Sequence, residues 1–154
     1  MMTTDKANNG CEQHKDLIIN YMYLGLLPFF IGALGPWIFA DHELWFTQLF
    51  TMYSTIILVF LAGAIWGVAL FAVKEYNQRH IHWAIAISLV PLAAHFLPPA
   101  AQVLLLLIGF LALLFWEKLF LKTLYPSWYE QFRHKITFIA VACHMLTLWN
   151  LIHH

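Results

Sequence analysis

Charge is what this chain has least of. Only 10% of its 154 residues are Asp, Glu, Lys or Arg. A helical bundle folded in water needs a polar exterior, and a tenth of the residues cannot supply one. The formal net charge is zero, from eight basic and eight acidic residues, so nothing recommends nucleic acid as a partner. Cysteine is nearly missing as well. Cys11 falls in a polar stretch and Cys143 in an apolar run, and two thiols so placed build no disulfide framework. The N-terminal tail has no Arg, which argues against a mitochondrial transit peptide. No Asp, Glu, Lys or Arg sits deep in an apolar run. That argues against a proton-coupled transporter, which needs a carboxylate or similar relay, and against a charge-lined pore.

What the chain has in excess is hydrocarbon. Five apolar stretches run through it, at Leu17–Phe39, Leu44–Val73, Ile81–Leu97, Ala101–Leu121 and Ile136–Ile152. A bilayer core takes about 20 apolar residues in a helix. None of the runs alternates apolar with polar, so a β-barrel is excluded. The reading is an all-α polytopic integral membrane protein with five transmembrane helices. Residues 1–16 form a polar tail and 17–154 one membrane domain, with no room for a soluble one. The first run is too long for a removed signal peptide and reads as a retained span. The second, at about 1.5 Å per residue, reaches ~45 Å and must tilt or project into the headgroups.

The eight basic residues then set the orientation. Lys6 and Lys15 precede the first stretch, Lys74 and Arg79 separate the second and third, and Lys118, Lys122, Arg133 and Lys135 separate the fourth and fifth. The other connections have none. The positive-inside rule places the N-terminus in the cytoplasm and the C-terminus outside, in a bacterial cytoplasmic membrane. The tryptophans agree, since none falls at the centre of a stretch and the ring prefers the interface.

Several local signals follow. Pro28 should kink the first helix. Gly25, Gly32, Gly63 and Gly67 are candidate packing positions, and the Gly63/Gly67 pair has the four-residue spacing that suits a tight helix contact or a homodimer. Pro98-Pro99 makes a short turn, so the third and fourth helices are antiparallel neighbours. Ser127 and Glu130 have capping-box spacing, which starts a helix that runs on into the fifth span. The segment 117–135 reads as an interfacial anchor, with Trp128, Tyr129 and Phe132 towards lipid and Arg133 and Lys135 near phosphates.

Candidates for chemistry are few. His95 lies near the outer end of the third stretch and His144 near the middle of the fifth. Each is a possible polar contact for a hydrophobic ligand such as quinone, haem or lipid, set against the plainer reading of a neutral imidazole bonded to a backbone carbonyl. His95 is expected to face the protein interior, where it keeps its hydrogen bonds. At the outer face Asp41, His42, Glu43, His153 and His154 carry ligand types for a divalent metal, provided the loop and tail converge. Cys143 and His144 are adjacent and point to different helix faces, so they make no nucleophile and base pair. With no acid–base constellation in view, an enzyme is the least favoured class. The expected function is contact, as an accessory or assembly partner of a membrane complex, with a binder or carrier of a hydrophobic ligand using His95 or His144 as the alternative.

Four runs add a resemblance. They are Gly-Leu-Leu-Pro-Phe at Gly25–Phe29, Phe-Leu-Ala-Gly-Ala-Ile-Trp-Gly at Phe60–Gly67, Val-Pro-Leu at Val90–Leu92, and Tyr-Pro-Ser-Trp-Tyr at Tyr125–Tyr129 followed by Phe132-Arg133. Together they resemble the domain-of-unknown-function family 3429 over nearly the whole chain from the first span onward. The resemblance implies five spans in a bacterial cytoplasmic or mitochondrial inner membrane. It implies no catalytic residue, because the family has no established activity. In the family pattern a basic residue often precedes the Trp of the second-span run; here that position is Ile65.

Overall fold

The computed structural model describes residues 14–71 and 78–153. Its helices are α1 Lys15–Leu24, α2 Leu27–Ile38, α3 Glu43–Phe71, α4 Gln78–His95, α5 Pro99–Trp116 and α6 Ser127–His153. A 3-10 turn at Ala40–His42 joins α2 to α3. A π turn at Glu117–Leu121 and a 3-10 turn at Lys122–Leu124 follow α5. There is no strand among the described residues. Lys6, Cys11, Lys74 and His154 lie outside them.

Four described segments are long and apolar enough to cross a membrane, not five. They are Lys15–Ile38, Ala40–Phe71, Pro99–Leu121 and Ser127–His153. The expected span at Ile81–Leu97 falls short. It forms α4, but that helix has 18 residues and opens with Gln78, Arg79, His80 and His82. At about 1.5 Å per residue it reaches ~27 Å, less than the ~30 Å hydrocarbon core. Its polar first turn leaves too short an apolar window.

The first span is one segment in two pieces. Its helix lapses at Gly25 and Leu26, two residues ahead of Pro28. Pro28 has no N–H to return to the carbonyl four residues back, so the ladder is interrupted there. It sits in the first turn of α2, where a missing N–H costs nothing. The Tyr53 hydroxyl of α3 donates to the Gly25 carbonyl at 2.7 Å and ties the break to its neighbour. The continuous helix expected there forms, from Ser127 to His153, with Ser127 its first residue and the Glu130 N–H bonded to the Pro126 carbonyl.

α3 is the central element. It packs against α2, α4 and α5, while α6 packs against α2 and α5. The core between them is Phe29, Phe50, Leu58, Leu106, Phe110 and Leu113, all buried. Close approach depends on particular glycines. A Cβ on Gly32 would lie 2.8 Å from the Cβ of Phe50, and one on Gly35 would enter the Phe46 ring. The packing role foreseen for Gly63 and Gly67 is not found among the described residues. A Cβ at either meets nothing within 4 Å, because the buried side of α3 there is formed by Ala62, Ile65 and Ala69 instead. Gly25 is in ordinary contact with its surroundings.

Contacts between helix ends bring the basic residues together. The Lys15 ammonium lies 5.8 Å from the Trp128 ring. Trp116, at the end of α5, donates to His80 Nδ1 at the start of α4 at 3.1 Å. Arg133 of α6 meets Glu117. Arg79, Lys118, Lys122 and Lys135 neighbour these residues in sequence. Asp41–Glu43, His95 and His153 belong to the opposite helix ends. The outer surface of the bundle is apolar, with Phe60, Phe71, Phe96 and Ile152 all more than two-thirds exposed. Such a surface suits lipid and not water.

Candidate functional site

The break at Gly25 has a geometric consequence. α2 packs against both α3 and α6, whereas α1 leans on α6. A half-enclosed cavity of about 380 Å³ opens between α1 and α3. Tyr21 of α1 and Phe60 of α3, both exposed, stand at its mouth. Ile57, Leu61, Phe29, Phe110 and Ala140 give it apolar walls. Among the described residues only one ionic group lines it, Arg133, with Thr137 one turn further along α6.

Arg133 is buried, and so is its partner. Glu117 Oε2 lies 3.2 Å from the guanidinium, with the two side chains 7–8% exposed. That oxygen is off the N–H line and makes an ionic contact, while Oε1 accepts a long hydrogen bond of 3.5 Å. Arg133 also donates to Thr137 Oγ1 at 2.8 Å, and the Thr137 hydroxyl donates in turn to the Arg133 carbonyl. The Arg133 Nε–H is enclosed and has no partner. Glu117 begins the π turn, a rare geometry that recurs at functional sites. The wide turn buries Glu117 and Leu121 together. Arg133 also lines a small polar cleft with Glu117, Lys118, Lys122, Tyr125, Glu130 and His134. Burial, reinforced by the Glu117 carboxylate, raises the Tyr125 phenol well above its usual range. It remains a neutral hydroxyl.

This pair corrects the expectation that Arg133 reaches to phosphates while Tyr129 faces lipid. Tyr129 and Arg133 both line the cavity. A signal for it exists in the sequence. Arg133, Thr137, Ala140, His144 and Thr147 recur at alternate spacings of four and three, one face of a helix. All five are buried. A polar stripe on an apolar helix faces protein, because in lipid its groups would lose their partners.

The sequence candidates fall elsewhere. His144 is fully buried at the centre of the bundle. Its Nδ1 lies 2.8 Å from the Ala140 carbonyl, the arrangement of the plain structural reading. Its ring packs among Phe50, Phe110 and Phe29, at centroid distances of 4.7, 5.1 and 5.7 Å. Phe29 and Phe110 therefore stand between it and the cavity, and its Nε2 has no partner. His95 is exposed, contrary to the expected inward position. It borders a second, more polar groove of about 720 Å³ with Gln48, Thr51, Thr55, Ser88 and Gln102. The buried stripe of α4 runs through Ala84, Ile87, Pro91 and Ala94, so at the helix end Ala94 takes the inward position and His95, about 100° further round, falls outside it. Two hydroxyls of that groove already bond their own helices, Thr51 to Thr47 O and Ser88 to Ile85 O, the usual state of such groups.

The metal-ligand candidates at the other end fall only partly within the described residues, since His154 lies outside them. Among the described residues no three His, Cys, Asp or Glu come close enough to hold a metal ion. Asp41 and His42 occupy a 3-10 turn whose neighbours are aromatic, Phe39, Trp45 and Phe46. His153 stacks on Trp149 at 4.0 Å and bonds its carbonyl, so the ring is turned back onto its own helix.

These features sit on a multi-pass membrane protein of long apolar helices. No curated protein and no solved structure matches the chain. One family model does, described as a protein of unknown function, DUF3429, and it spans residues 16–149. That range takes in the interrupted first span, the Glu117–Arg133 pair and nearly all of α6, so the chain belongs to the DUF3429 family.

Proposed function

We propose that this protein binds an apolar molecule drawn from the bilayer, held in the cavity between α1 and α3. The observation that carries the reading is the cavity itself: apolar walls, a mouth on the apolar outer surface, and one buried cation at its lining. Small-molecule sites have this character, mostly apolar with a few placed polar groups. The polar contact expected from His95 or His144 passes in this reading to Arg133 and Thr137. Solvent extraction and mass spectrometry of protein purified from its own membrane should find close to one apolar molecule per chain. Leu61→Trp fills the cavity and should lower that yield at least tenfold. An unchanged yield in the variant would place the molecule elsewhere, and an empty wild type would end the proposal.

The orientation belongs to the same proposal. In it α4, short of a full span by itself but packed against α3 and α5, carries the chain back across, so the end that gathers Lys15, Arg79, Lys118, Lys122 and Lys135 faces the cytoplasm of a bacterium, by the positive-inside rule. In a Cys11→Ser background, an impermeant thiol reagent added to whole cells should label His42→Cys and spare Lys122→Cys. The reverse pattern inverts the topology.

A second reading is contact with another membrane protein or a second copy. It is supported by Gly63 and Gly67, which leave open space on the outer side of α3. Small residues at such a face allow another helix to approach closely.

A further inference from the structure

The ion pair beside the cavity bears on the chemistry of its occupant. This step rests on the cavity reading above. We infer that the molecule held there carries an uncharged acceptor oxygen, a carbonyl on a hydrocarbon tail, and not an anionic headgroup.

Arg133 is the only ionic group in the lining among the described residues, and by itself it would attract a phosphate or carboxylate. It is not by itself. Glu117 sits 3.2 Å from the guanidinium, equally buried, and cancels its charge. An anion brought to Arg133 meets the carboxylate in a medium where screening is weak. If it displaces Glu117, a buried carboxylate loses its partner, which is the expensive outcome for a buried pair. What the pair leaves over is hydrogen-bonding capacity. Arg has five N–H donors. Thr137 takes one bond from Nη1 and Glu117 one from Nη2, which leaves a second N–H on each of these nitrogens, while the Nε–H is enclosed by protein atoms and out of an occupant's reach. Thr137 offers nothing further as a donor, since its hydroxyl is committed to the Arg133 carbonyl. The site thus presents donors without net charge. A neutral carbonyl fits that description, and the apolar walls of Ile57, Leu61 and Phe29 take the tail. A quinone and a diacylglycerol share this chemistry.

The test uses delipidated full-length protein in neutral detergent and three probes. They are a benzoquinone with a ten-carbon tail, dioleoylglycerol and dioleoylphosphatidylglycerol. Wild type should bind at least one of the two neutral probes ten times more tightly than the anionic one, and which of the two wins names the source. Glu117→Gln uncovers the Arg133 charge and should reverse the order in favour of the phosphatidylglycerol. The pair Arg133→Met with Glu117→Leu stays neutral, removes the donors and should weaken the neutral probe at least tenfold without a loss of stability. It decides the matter if the single variant does not accumulate. Tighter binding of phosphatidylglycerol by wild type, or an order unmoved by Glu117→Gln, overturns the inference while the cavity reading stands. If wild type binds none of the probes, or Leu61→Trp binds all three like wild type, the cavity reading falls and takes this one with it.

Discussion

Glu117→Leu is expected to be the most damaging single substitution in this protein, at a cost of about 3–5 kcal/mol. The change strands the buried Arg133 guanidinium, which cannot shed its proton. Arg133→Met strands Glu117 instead and should cost less, because a carboxyl left alone can take up a proton. The double variant, Arg133→Met with Glu117→Leu, removes both charges and fills their volume with hydrocarbon. It should be close to wild type or more stable by about 1–4 kcal/mol. Unfolding of the purified variants in detergent, followed by circular dichroism, measures all three. The double variant separates stability from function. If it folds well yet loses its bound molecule, the pair serves the cavity and not the fold. Additive losses in the two single variants would mean that the 3.2 Å contact carries no coupling.

The class of this protein was legible because one physical requirement dominates it. A helix that crosses lipid must be long and apolar, and four of the five runs read from the sequence meet that requirement. The fifth was misjudged at its ends. The run Ile81–Leu97 is apolar, but the helix that contains it begins at Gln78 and stops at His95. Its polar first turn was counted with the loop. Position within a span was less legible than the span. In water, hydrophobic periodicity separates inside from outside. In a chain apolar on all sides that contrast disappears, and the four-residue spacing of Gly63 and Gly67 looks the same whether it meets a helix or nothing. The contrast survives where polar residues line up, as along α6, and there the sequence held the site in plain terms. His95 was placed inward to save its hydrogen bonds. Ala94, next to it, takes the inward position at the helix end instead. The cavity could not be read at all, since it arises from the lapse at Gly25 and the lean of α1 towards α6, a matter of angle between helices.

The glycines give the last prediction, and the two outcomes are opposite in sign. Gly32→Leu puts a Cβ 2.8 Å from the Phe50 Cβ and 3.1 Å from its Cα. Those atoms are backbone or next to it and cannot swing aside, so α2 and α3 must separate. The cost should be about 1–3 kcal/mol or more, with lower accumulation in the membrane. Gly63→Leu meets open space. In the isolated chain it should change stability by no more than about 0.5 kcal/mol through packing, and it gains from the better helix propensity of Leu, worth up to about 1 kcal/mol. A loss on Gly63→Leu in the purified single chain would mean that this face is covered from within. The same variant, combined with Gly67→Leu, tests the contact reading in native membranes. A leucine pair adds bulk where another helix would need to approach, so a partner held by this face should be lost from mild-detergent purification while the chain itself accumulates normally. A partner that stays bound uses some other surface, and Gly63 and Gly67 then meet only lipid.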